Sequence, residues 1–132
     1  MRWTDAQFQQ WLAKRQGVAV RSERRPRDRM NKTECRFESE VLSPLKQSGE
    51  ILWYGFEALN FRLGPRVHYR PDFVVVKPDR VPEFNEVKGG FIRQDSRVKF
   101  RTAAGLYPFW DWKMWQWKAG VWRVVLEFEG SQ

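Results

Sequence analysis

Apolar positions along this chain change their period several times, and each change marks an element. Phe8, Trp11 and Leu12 recur at helical spacing behind a Thr4 cap candidate, predicting a short amphipathic helix that docks on the main body. The stretch "RQGVAVRSERRPRDRMNK" has few large apolar residues and reads as an extended arm. From Asn31 to about Gln47, Phe37, Val41, Leu42 and Leu45 restore helical spacing and predict the first core helix. Pro44 is expected to kink that helix or open a new turn, and Ser48-Gly49 to end it. "ILWYGFEALNFRLG" and "VHYRPDFVVV" are rich in branched and aromatic residues and flank Gly64-Pro65, which predicts two hairpin-connected strands. The unbroken apolar run Phe73 to Val76 is the pattern of a strand covered on both faces. A third strand, "PEFNEVK", follows a turn at Lys77 to Arg80. Beyond Gly89-Gly90, "DSRVKFRTAAGLY" carries an Asp95-Ser96 cap signal ahead of Phe100, Ala103, Ala104 and Tyr107, the second core helix. "FWDWKMWQW" and "VWRVVLEF", joined through Lys118-Ala119-Gly120, predict a closing tryptophan-rich hairpin.

Composition narrows the partners. The 132 residues suit one domain, divided here into a short helix and basic arm over residues 1–30 and a main body over 31–132. Lys and Arg number 24 against 16 Asp and Glu, a formal charge of +8, which favours a polyanionic partner such as nucleic acid. Eight basic residues against Glu23 and Asp28 between Lys14 and Lys32 place a net six of those charges in the arm, including Arg24, Arg25, Arg27, Arg29 and Lys32. A solvated linker is one reading of that arm and phosphate contact the other, and the concentration of charge favours the second. No stretch approaches about 20 apolar residues and Met1 to Leu12 lacks a signal-peptide core, so a soluble, cytoplasmic protein without a membrane partner is expected. One cysteine, Cys35, and one histidine, His68, exclude an internal disulfide and a thiolate-imidazole zinc site, leaving oxygen to hold any metal.

Charge interrupts the strand-forming stretch "YRPDFVVVKPDRVPEFNEVKGG" at Asp72, Glu86 and Lys88. Glu86 and Lys88 are two apart and share a strand face, with Val87 on the other. They fit either a plain ion pair or a working site. Asp72 directly precedes a buried run, where a carboxylate without a partner is costly. Gly89-Gly90 leaves room for something bulky to approach the backbone. Two carboxylates beside a lysine are the set that phosphodiester hydrolysis with Mg²⁺ needs, the lysine orienting water or neutralising developing charge. Simple antiparallel pairing through a short turn is expected to leave Asp72 and Glu86 at separate places unless the strands bend or shift register.

"RPDF" followed by "EVKGG" resembles the PD-(D/E)XK nuclease signature, with Pro71-Asp72 as its first half and Glu86-Val87-Lys88 as its second. With "NKTE" opening the first helix and a following "D..VKFR", the chain from about Asn31 to Pro108 resembles small phage-encoded endonucleases, including the endonuclease I type that cuts Holliday junctions. The resemblance implies an α/β, restriction-endonuclease-like core, a central mixed sheet flanked by helices whose bent strands gather the three residues. It also implies a further acid on the first helix at Glu34, with Glu38 one turn on as second choice, and a lysine at Lys99. Glu34 equally suits a capping box with Asn31, and the two roles are compatible.

The expected activity is a Mg²⁺- or Mn²⁺-dependent DNA endonuclease with Asp72, Glu86 and Glu34 binding metal and Lys88 assisting water. Branched, Holliday-type or double-stranded DNA is the expected substrate, and a homodimer is inferred because one chain has one site. The rivals are a nicking, mismatch-repair or restriction enzyme of the same chemistry, and a non-catalytic DNA- or RNA-binding accessory protein. Arg93, Arg97, Lys99 and Arg101 are candidate phosphate contacts or a solvated face, and Gln94 a candidate for positioning water. His68 reads as a packed or surface histidine and Cys35 as a small core residue. The opposite parity of Trp110 and Trp112 against Trp115 and Trp117 implies a bulge or two aromatic faces, serving packing, a dimer contact or base stacking.

Overall fold

In the computed structural model, which describes residues 30–131, a capping box starts the first helix. The Glu34 N–H donates to Asn31 Oδ1 and the Asn31 N–H to Glu34 Oε1, both at 2.8 Å. Helix α1 (Lys32–Phe37) runs into a π-helical segment, Glu38–Leu42, and then α2 (Ser43–Gln47). Pro44 explains the widened turn. It has no N–H for the Glu40 carbonyl and its ring crowds that oxygen, so the chain loosens and the Ser43 N–H bonds Glu38 instead. Ser48 caps the end and Gly49 takes a left-handed backbone at φ 83°, as the sequence implies. The helix expected around Phe8 and the arm residues Arg24, Arg25, Arg27 and Arg29 lie outside the described residues.

The stretch expected to form two strands forms four: β1 (Trp53–Phe56), β2 (Phe61–Gly64), β3 (Val67–Tyr69) and β4 (Phe73–Val76). Strands β1 and β4 pair antiparallel as far as Phe56 opposite Phe73. There Glu57 turns left-handed at φ 49°, and Pro71 has no N–H to extend the ladder. The enclosed residues peel away as a separate β2–β3 hairpin. Strand β5 (Pro82–Gly89) follows the Lys77–Arg80 turn, α3 (Gln94–Leu106) crosses over, and β6 (Asp111–Lys118) and β7 (Val121–Phe128) close the chain as a hairpin. The main sheet has the order β1-β4-β5-β6-β7 and is mixed, because only β5 and β6 run parallel.

Side-chain alternation divides the core between the two faces of this sheet. Phe73, Val75 and Val87 pack with Phe37 and Leu42 of the first helical run. Val74, Phe84, Trp112 and Met114 pack with Phe100, Ala103 and Ala104 of α3, joined by Phe61 and Tyr69 from the small hairpin. The chain is thus α/β, with helices on both sides of a five-stranded mixed sheet. Among the described residues no helix is long and apolar enough to cross a membrane.

Three local expectations change. Helix α3 begins at Gln94 with Arg93 as an extended N-cap, so Asp95 lies inside the first turn, where its charge suits the exposed N–H groups. Cys35 is exposed, because one residue beyond buried Glu34 the helix has turned its side chain off the sheet. Of the two tryptophan readings the one with two aromatic faces holds: Trp112 and Trp115 face opposite cores along a continuous β6, and the bulge lies instead on β7, where Val125 falls between the partners of Met114 and Trp115.

Ala119 and Gly120 connect β6 to β7 with φ of 54° and 74°, the signs of a type I′ turn. Asparagine tolerates that first position better than alanine, so Ala119→Asn is expected to stabilise the fold by about 1 kcal/mol, read from urea denaturation midpoints.

Candidate functional site

Strands β4 and β5 pair from Val76 opposite Pro82 to Phe73 opposite Asn85 without a register shift. One further step sets Asp72 opposite Glu86. This corrects the expectation that simple antiparallel pairing would separate them: the hairpin folds the start of β4 back against the end of β5, and no bend is required. Asp72 is 7 % exposed and its Oδ2 accepts the Val87 N–H at 2.8 Å, so the costly buried carboxylate has a main-chain donor. Glu86 is equally buried; its Oε1 accepts the Tyr69 hydroxyl at 3.0 Å and its Oε2 lies 3.1 Å from the Lys88 ammonium.

Glu34 reaches the same place from helix α1. It is 1 % exposed and hydrogen-bonds to Asp72 while serving the capping box, so the structural and site roles coexist in one side chain. Glu38, the second choice, faces Tyr54 on β1 instead. Asn31, Thr33, Glu34, Asp72, Val87, Lys88 and Gly89 line an open, polar cleft of about 280 Å³. Glu86 is not part of this lining, and meets it through Lys88. Gly89 is not vacant for a ligand as the sequence suggested: a Cβ there would lie 2.8 Å from Thr33 Oγ1, so α1 itself occupies the space. Only Gly90, left-handed at φ 69°, has open space around it.

Electrostatics mark this cluster apart from a second one on the same strand. Burial, the Glu86 charge and the Glu34 charge together push Asp72 well above the usual carboxylate range, against the lowering effect of the Val87 N–H. Burial and the Glu86 and Asp72 charges likewise raise the Tyr69 hydroxyl well above its ordinary value, keeping it a donor. At the other end of β5, Lys77 and Lys113 each stand 3.3 Å from buried Glu83, and Lys77 is 2.7 Å from Asp111. Burial alone would raise Asp111, but the Gly130 N–H and Lys77 hold it below the usual range. That second cluster is a balanced structural network. The first crowds like charges.

The basic candidates are dispersed. Lys32 and Arg93 are exposed, and Arg93 pairs with Asp95 at 3.5 Å. Gln94, Arg97 and Arg101 share one flank of α3 by their three- and four-residue spacing, whereas Lys99 falls on the opposite flank of the buried stripe. His68 is half-buried, its ring nitrogens shielded and without hydrogen bonds, on the strand face opposite Tyr69. Tyr69 and Thr33 were missed as site residues. Tyr69 comes from the separate hairpin, so only tertiary folding brings it to Glu86, and Thr33 had only its place inside "NKTE". Among the described residues no set of three or more His, Cys, Asp or Glu side chains is disposed as a metal cage.

A carboxyl raised on folding stabilises the native state below its unfolded value near 4 and loses that contribution as pH rises through the folded value. Asp72→Asn keeps an acceptor for Val87 and removes the repulsion. In EDTA it is expected to melt higher than wild type at pH 7 to 8, with the gap closing towards about pH 4, measured by circular dichroism.

No protein-family model matches the chain, and no curated protein matches it, so the reading of these residues rests on their own geometry.

Proposed function

We propose that the chain is a divalent-metal-dependent nuclease with a restriction-endonuclease-like core of the PD-(D/E)XK type. The single observation that carries the reading is the convergence of Asp72, Glu86 and Glu34 with Lys88 at one end of the β4–β5 ladder, beside an open cleft. A buried cluster of like charges is the chemistry that a hard cation relieves, and Mg²⁺ requires only one or two carboxylates, its other positions going to water and substrate phosphate. Mg²⁺ or Mn²⁺ therefore suits Asp72 and Glu86, with Glu34 adding a ligand directly or through water. Bound there, the ion supplies Lewis acidity and lowers the pKa of water.

The chain's own residues do the rest. The Val87 N–H and the Tyr69 hydroxyl fix the two carboxylates from behind, limiting the reorganisation that binding would otherwise cost. Lys88, held over Glu86 and partly exposed, donates to the attacking water or to a phosphate oxygen as charge develops on it. Water adds to phosphorus, losing a proton to solvent, and the bond to the leaving sugar oxygen breaks, that oxygen taking a proton from solvent. DNA is the proposed substrate, with branched, Holliday-type junctions preferred on the motif resemblance. The described residues form one such cleft, so cutting both strands would take a homodimer, and we place its action in the cytoplasm as part of the same proposal.

Supercoiled, linear and four-way-junction DNA in Mg²⁺ is the direct test. Wild type is expected to cut and EDTA to abolish cutting. Lys88→Ala and Glu86→Gln should lower the rate by about 10²-fold or more while gel-shift binding persists. Binding without cleavage by wild type would instead make the protein an accessory binder. Mg²⁺ should raise the melting temperature of wild type and not of Asp72→Asn, since a ligand stabilises only the fold that holds it.

A further inference from the structure

Phe91 has the most exposed large apolar side chain among the described residues, at 88 % against 64 % for Phe109, the next. A single exposed hydrophobe is ordinary on a loose surface loop. This one is clamped. On one side the Gly90 N–H donates to the Trp117 carbonyl at 3.1 Å and Gln116 Nε2 donates to the Gly90 carbonyl at 2.6 Å. On the other, Ile92 is 4 % exposed in the core beneath α3. Ile92 is turned inward, while Phe91 and Arg93 on either side of it are both exposed, the Arg93 side chain at 79 %. Phe91 is three residues past Lys88, so the two Cα atoms lie within about 11 Å, the span of a few nucleotide steps.

Resting on the nuclease reading of that cleft, we infer that Phe91 is a stacking platform for an unpaired nucleobase beside the scissile phosphate, with Arg93 holding an adjoining phosphate. A phenyl ring adds to a base only where a base face is free. Continuous duplex offers none without unstacking, which costs a few kcal/mol per step. A gap, a branch point or a single strand already offers one. The substrate class is therefore nucleic acid with interrupted stacking, and the discrimination comes from an exposed ring carried on backbone that its neighbours already hold.

The experiment uses the full chain in EDTA, titrated against a gapped duplex with 2-aminopurine at the unpaired position and against the continuous duplex of the same sequence. Phe91→Ala is expected to weaken gapped binding about tenfold and continuous binding less than about twofold, as the loss of one stacked base implies. Phe91→Trp is expected to keep the affinity and the change in 2-aminopurine fluorescence. Equal loss on both duplexes, no loss on either, or no binding by wild type overturns the assignment. So does a change in the sedimentation behaviour of Phe91→Ala, which would make the ring a protein contact. If Phe91→Ala discriminates as expected while wild type in Mg²⁺ cuts neither these duplexes nor supercoiled, linear or four-way-junction DNA, the nuclease reading falls and the stacking platform stands. Should wild type cut and Phe91→Ala bind and cut both duplexes as wild type does, the platform falls alone.

Discussion

A 2.8 Å hydrogen bond from the Val87 main chain to Asp72 ties the first residue before β4 to the end of β5, and the candidate site depends on it. It extends the ladder one step beyond Phe73 opposite Asn85, at the point where Pro71 removes the main-chain donor that would have continued it. A side-chain oxygen thus takes over where main-chain pairing stops. That substitution lets a carboxylate sit buried opposite Glu86, with Tyr69 supporting Glu86 from the α3 side of the sheet and Glu34 arriving from the α1 side.

Strand β5 shows two ways for a sheet to contain acids. Glu83 and Asp111 have lysines within 3.3 Å, so charge is cancelled locally and the cluster contributes packing and register. At the other end burial and the charges of Glu86 and Glu34 raise the cost of ionising Asp72, and the fold tolerates this because fixed N–H and O–H donors hold each of the three groups. Strain of this kind concentrates where chemistry happens, which is why the second end and not the first is the site of interest.

Much of this was legible before any coordinates. The helical spacing of Phe37, Val41 and Leu42, the buried run Phe73 to Val76 and the Ala119-Gly120 turn each carry their own local physics, and each element formed where that physics placed it. What escaped was set by contacts between distant segments. The β2–β3 hairpin peels off because Glu57 and Pro71 end pairing together, a coincidence that neither residue announces alone. Cys35 reads as core by composition and is exposed by helical phase. The proximity of Asp72 and Glu86 was within reach of counting along a hairpin, since pairing partners keep a constant sum of residue numbers, yet the involvement of Tyr69 was not, because its strand belongs to another sheet.

The contact between Gly89 and Thr33 has an evolutionary corollary. With Thr33 Oγ1 standing 2.8 Å from where a Cβ at position 89 would project, the start of α1 and the end of β5 share one atom's worth of room. Sequences that descend from this fold should therefore vary at the two positions in concert, a side chain larger than hydrogen at one appearing only with a shorter residue at the other. The separation between Glu34 and the β5 residues that precede Gly89 is inherited through that steric bargain as much as through the acids themselves.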